Sequence, residues 1–224
     1  LTAKPESHGD LLDGYWPWIT GAPHCDYFVI GAELEDGRQL LAAVPADLPG
    51  VECGPPARLV SLTSSLTGPV HFHNVLLNER WLLAKPVENV MAQGRGANTG
   101  GLETSSMAIG SAAASIRFLE QESGARPALE PAAASFREDH RRLEKTLLKM
   151  ADGEEVCSNQ ELRVEANSLV LRSSQAALTA AKGAGYVLGH PAARWCREAL
   201  FFLVWSCPHP VSQAALCELA MIQD

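Results

Sequence analysis

Apolar residues recur with two different periods along this chain, and the change between them falls near residue 87. Upstream, short β-prone runs are separated by Gly, Pro, Asn and Asp. Tyr27 to Leu34 reads as one strand and Gln39 to Val44 as its partner. Between them, Glu35-Asp36-Gly37-Arg38 reads as a hairpin turn, because Asp-Gly accepts the positive φ that such turns require. Leu59 to Leu62 and Val70 to Leu77 are two further strand candidates. From residue 87 onward the spacing is helical and the composition rich in alanine, predicting helices over 99–122, 131–152, 158–187, 192–205 and 209–222. Breaks at Gly124-Ala125-Arg126-Pro127, Asp152-Gly153 and Pro208 keep the connections short, which favours antiparallel neighbours. The expected class is α+β: a small antiparallel β domain over residues 1–86, followed by an up-and-down helical bundle over residues 87–224.

Charge narrows the function classes. The 18 Lys and Arg against 26 Asp and Glu leave a net charge of −8, and no basic face is visible that could neutralise a phosphate backbone. Arg141, Arg142 and Lys145 are interleaved with Asp139 and Glu144. Nucleic acid is therefore not expected as a partner. The six cysteines lack Cys-x-x-Cys spacing and read as reduced thiols, which points to the cytoplasm. The longest apolar run, Ala199 to Trp205, falls well short of the ~20 residues of a spanning helix, and no cleavable signal is evident. No membrane insertion is expected. Leu1 in place of methionine hints at a portion upstream.

Trp18-Ile19-Thr20-Gly21, followed by Asp26-Tyr27-Phe28-Val29-Ile30, resembles the flavin-contacting strand of the acyl-CoA dehydrogenase family. An indole beside a small hydroxyl residue at a strand end can offer a planar ring both an apolar wall and a hydrogen-bond partner. The resemblance extends over nearly the whole chain. Thr67-Gly68-Pro69-Val70-His71-Phe72-His73-Asn74-Val75 is similar to the family's closing strand, and Leu82-Leu83 to the segment leading into its bundle. Gly183-Ala184-Gly185-Tyr186, His190-Pro191 and Arg194 to Ala199 resemble its Gly-rich helix break and its Arg-Asp-Ala helix. This resemblance implies FAD held by Trp18, Ile19 and Thr20, an acyl-CoA thioester oxidised at a CH–CH bond, and assembly as a homo-oligomer. The family's N-terminal helical domain has no counterpart in these residues.

Such a reaction needs a base for the α-proton of the thioester. The family's usual glutamate falls on Trp205-Ser206-Cys207, so Ser206 stands in its place, and an unassisted serine is no substitute for a carboxylate. Cys207 has no basic neighbour in sequence and reads as an inert thiol. Some relatives place their base at the start of the first bundle helix, here Thr99 to Ser105, where Gly100-Gly101 replaces the Glu-Arg pair. Glu103, about one turn later, becomes the candidate catalytic base. Its other reading is a first-turn acid favourable to the helix dipole, with Thr99 as N-cap.

Pyrophosphate contacts are altered too: Gln121 to Arg126 replaces an Arg-x-x-Phe-Gly motif, leaving Arg126 with Glu122 opposing a phosphate. Thr179 replaces the Gln that precedes the paired glycines, and Lys182 reads as a phosphate contact or as an exposed lysine. Hence two functional readings arise, an FAD-dependent oxidoreductase or a catalytically inactive structural or binding subunit. His71 and His73 share a strand face but lack further ligands, so no metal is expected. Gly94 to Gly101 reads as an interdomain linker.

Overall fold

The computed structural model describes residues 1–93, 101–205 and 207–222. It divides into two compact units, Leu1–Asn98 and Thr99–Asp224. Val90, in a short 3-10 turn at Val90–Gln93, is buried with the first unit, which therefore runs past residue 86.

The first unit is one seven-stranded sheet built from β1 (Thr2–Glu6), β2 (Gly9–Ile19), β3 (Tyr27–Glu33), β4 (Gln39–Pro45), β5 (Val51–Cys53), β6 (Gly68–Leu77) and β7 (Leu82–Val87). Its spatial order is β5-β6-β2-β1-β3-β4-β7. All pairings are antiparallel except β1 with β3, joined in parallel at Thr2 and Glu33, so the sheet is mixed rather than wholly antiparallel. The period-2 pattern turns Phe28, Ile30, Leu40, Ala42, Val44, Val70, Phe72 and Leu77 into a single dry core. Gly37 at φ 83° closes the β3–β4 hairpin, and Asp36 accepts from both the backbone and the side chain of Arg38.

Leu59 to Leu62 is not a strand. Leu62 adopts φ 57°, outside the β region, and opens a 3-10 turn at Thr63–Ser65. Leu82 and Leu83 begin β7, paired with β4, the last strand before the helical unit in chain order.

The second unit is helical: α1 (Leu102–Ala125), α2 (Glu130–Ala151), α3 (Asn159–Ala181), α4 (Pro191–Ala199), the single turn α5 (Phe201–Val204) and α6 (His209–Ala220). The predicted helix 158–187 stops at Ala181, where Lys182 turns left-handed at φ 53°, and 3-10 geometry follows over Lys182–Tyr186. The predicted helix 192–205 is split into α4 and α5. Small residues let α1 and α3 approach closely: Ala108, Ala112 and Ala166 are buried, and the Ser115 and Ser173 hydroxyls meet at 3.0 Å. Ser158 and Glu161 form a capping box that starts α3. No helix among the described residues is long and apolar enough to cross a membrane.

Candidate functional site

The end of β2 gathers the groups with the clearest capacity for a ligand. Trp16 pairs with Val70 and donates its indole N–H to the Gly31 carbonyl at 2.9 Å, tying β2 to β3. Two residues on, Trp18 makes no such bond among the described residues and is 58% exposed, a large apolar plate turned to the surroundings. Ile19 pairs with Gly68 and packs against the core of the sheet. Gly21 then leaves the strand at φ 70°, a conformation that disfavours any side chain, and its N–H bonds the Ser65 carbonyl at 2.8 Å.

That bond draws three hydroxyls into line. Ser65 Oγ lies 2.8 Å from Thr67 Oγ1, which lies 3.2 Å from Thr20 Oγ1. Thr67 is buried and Thr20 exposed, so the chain leads from the interior to the surface beside Trp18. Each hydroxyl has one proton and can accept. When the bonds run outward from Ser65, Thr20 has a proton left to donate; when they run inward, it offers lone pairs. The same residue can therefore meet an acceptor or a donor without moving. Backbone strain marks the spot: Leu62 and Leu66, at either end of the 3-10 turn, have φ of 57° and 47°. Sequence reasoning named Trp18, Ile19 and Thr20 as candidates but did not name Ser65; Thr67 entered it only as the first residue of a strand motif.

In the helical unit the candidate groups are mostly committed. Glu103 is exposed in the first turn of α1, and the N-cap there is Gly101, not Thr99, which lies outside the described residues. The Glu103 carboxylate folds back over Gly101 so closely that a Cβ at that position would sit 2.2 Å from Oε2. Arg126, the residue considered for a phosphate, pairs with Glu122 and donates to the Ala180 carbonyl at 2.7 Å, closing the end of α3. Lys182 is exposed at the α3 C-cap.

The most unusual charge there is Arg163, fully buried on α3. It donates to Asn167 Oδ1 at 2.9 Å and to the Trp205 carbonyl at 3.2 Å, while its Nη1 has no partner among the described residues. Asn167 in turn donates to the Phe202 carbonyl at 2.8 Å. Burial pushes the Arg163 guanidinium down from its ordinary value, and the nearby Cys207 opposes that shift. Cys207 therefore has a cationic neighbour that its sequence surroundings do not show. Ser206, the expected base position, lies outside the described residues, as does Gly94 to Gly100.

His71 and His73 stack with centroids 6.0 Å apart, and His71 also stacks on Tyr15. Among the described residues no group of three or more His, Cys, Asp or Glu is arranged to hold a metal ion. All six cysteines are free.

Neither family models nor curated protein sequences match this chain. Solved structures do. An acyl-CoA dehydrogenase from Geobacillus kaustophilus superposes with a TM-score of 0.82 at 16% identity, covering 97% of this chain and 63% of its own. A glutaryl-CoA dehydrogenase from Mycobacterium smegmatis, in complex with FADH2, gives 0.80 at 19% identity, covering 98% and 61%. A structure described for the electron transferring flavoprotein of Acidaminococcus fermentans gives 0.80 at 17%, covering 100% and 63%. The chain thus spans less than two thirds of the length of these solved chains, and it shares with them the fold of a β-sheet domain followed by a C-terminal helical bundle.

Proposed function

We propose that this chain is the sheet-and-bundle portion of an FAD-dependent oxidoreductase that acts on the CH–CH bond of an acyl-CoA thioester, in the cytoplasm and as a homo-oligomer. The observation that carries the reading is the end of β2, where exposed Trp18 stands beside the outlet of the Ser65–Thr67–Thr20 hydroxyl chain. These residues fit the ring of a flavin: Trp18 supplies a flat apolar wall, Ile19 anchors the strand to the core, and Thr20 meets a ring nitrogen as donor or acceptor. When bound, FAD would accept the hydride removed from the acyl chain. Arg126 does not fit a role at the pyrophosphate, because its guanidinium is already divided between Glu122 and the end of α3.

In this reading Glu103 takes the α-proton. Its exposure and its position over Gly101 leave the carboxylate free to swing outward, since no hydrogen bond among the described residues holds it. The test is turnover by the full chain, supplied with FAD, acyl-CoA esters of several lengths and an artificial electron acceptor. Acyl-CoA-dependent reduction that falls at least a hundredfold in Glu103→Gln supports the assignment. Turnover that survives the substitution removes Glu103 as base.

The commitment of Arg126 favours a second reading, a catalytically inactive member of the same fold that serves as a structural or binding subunit. Acyl-CoA binding without turnover, in protein that takes up no FAD, would decide for it.

A further inference from the structure

A second polar site lies at the opposite end of β2, roughly 26 Å along the strand from Trp18. Asp10 follows the alternation that also sends Leu12 inward, so its carboxylate lies on the core side of the sheet, where it is 9% exposed. Its strand neighbours are Pro5 on β1 and the fully buried Leu77 on β6. No side-chain hydrogen bond or ion pair among the described residues meets that carboxylate. Asp10 lines an open cleft of about 560 Å³ with Leu34 and Leu82 on its walls, so a ligand entering the cleft can reach the partly desolvated carboxylate.

The charges around the cleft define what it can take. Its two cations are already paired: Lys85 lies 2.5 Å from Glu79 within the cleft, and Arg38 lies 2.8 Å from Asp36. Because Lys85 offsets Glu79, the Asp10 carboxylate is left as the unpaired charge of the cleft, which disfavours an anion; His8 and Glu6 complete the polar rim. Three metal ligands do not converge among the described residues. A cation with its own apolar stem satisfies both the unpaired carboxylate and the leucine walls.

We propose that this cleft binds a small alkylammonium group, its N–H donors on Asp10 and its stem against Leu34 and Leu82. Burial, reinforced by Glu79, already holds the Asp10 carboxyl above its ordinary value, so the free protein carries a cost that a cationic ligand relieves. The site is independent of the flavin reading and stands or falls alone.

The test is titration of the full chain with n-butylammonium at neutral pH, followed by amide NMR, with n-butanol as the uncharged control. Saturable shifts are expected at the β1–β2 turn, Leu34 and Leu82, with no equivalent response to butanol. Asp10→Asn should weaken butylammonium binding at least about tenfold, with a Tm equal to or above the parent's because a desolvated charge has gone. Absence of saturable shifts, an equal response to butanol, or undiminished binding by Asp10→Asn would each overturn the proposal. The butylammonium and butanol comparison on the unaltered chain decides even if the variant fails to fold.

Discussion

The end of β2 and the helical unit treat their functional groups in opposite ways. At the strand end, Trp18 is exposed and Thr20 keeps a proton or a lone pair to spare, so both are available to something outside the unit. In the bundle, Glu103 excepted, several charges are spent internally: Arg126 on Glu122 and the end of α3, Arg142 on Glu165, and Arg172 on Asp139 and Glu218. The contrast teaches that a cationic residue near a family motif is not thereby a ligand-binding residue. Availability, set by hydrogen bonds and ion pairs already made, separates groups that can meet a cofactor from groups that hold helices together.

The largest effect expected within the bundle is that of Arg163→Ala. It empties a fully buried position and strands Asn167 and the Trp205 carbonyl, which should cost about 2–4 kcal/mol in urea unfolding. Arg163→Met fills most of the volume without a charge and should recover all but about 1 kcal/mol. A mild Arg163→Ala would mean that this guanidinium is not structural and would blur the contrast between the units.

Next comes Trp18→Ala, which should weaken FAD binding by about 1.4–2.5 kcal/mol, roughly tenfold or more, while unfolding moves by less than about 0.5 kcal/mol. Thr67→Val interrupts the hydroxyl chain and should cost about 1 kcal/mol of stability, with weaker FAD binding although Thr67 itself is buried. Arg126→Gln should leave FAD affinity unchanged within about twofold, since its guanidinium is not available; a tenfold loss measured by fluorescence titration would reassign it to the cofactor.

The smallest effect concerns acid stability. The Ser158 backbone N–H and hydroxyl hold the Glu161 carboxyl below its ordinary value at the start of α3. A depressed folded-state pKa stabilises the protein above the unfolded value of 4.5, and the contribution is lost as pH falls through the lower folded value. Glu161→Gln should therefore flatten the acid side of the stability profile, because the Ser158 N–H then meets no carboxylate, and unchanged thermal melts across that range would discount the cap.

Much of the architecture is legible in the sequence because its signals are local. Asp36-Gly37 fixes the β3–β4 hairpin, and the five predicted helical segments each contain helix in the structure. The short edge strands β5 and β7 are harder to see, one being only three residues long and the other containing Pro86. Leu59 to Leu62 shows the converse: an apolar run at an ordinary strand length, broken by the left-handed turn at Leu62. The candidate site divides in the same way. Trp18 and Thr20 stand together in a motif, whereas the partner that orients Thr20 lies 47 residues away. A buried Arg163 cannot be inferred from a helix whose charged residues ordinarily face solvent; its partner Trp205 lies 42 residues downstream.

The central claim, that the end of β2 is an available flavin surface, is tested most directly by titrating FAD with the purified full chain and following flavin fluorescence. The account predicts saturable quenching that weakens at least tenfold in Trp18→Ala and is unchanged in Arg126→Gln. Fluorescence that remains that of free FAD throughout, or quenching indifferent to Trp18, would contradict it.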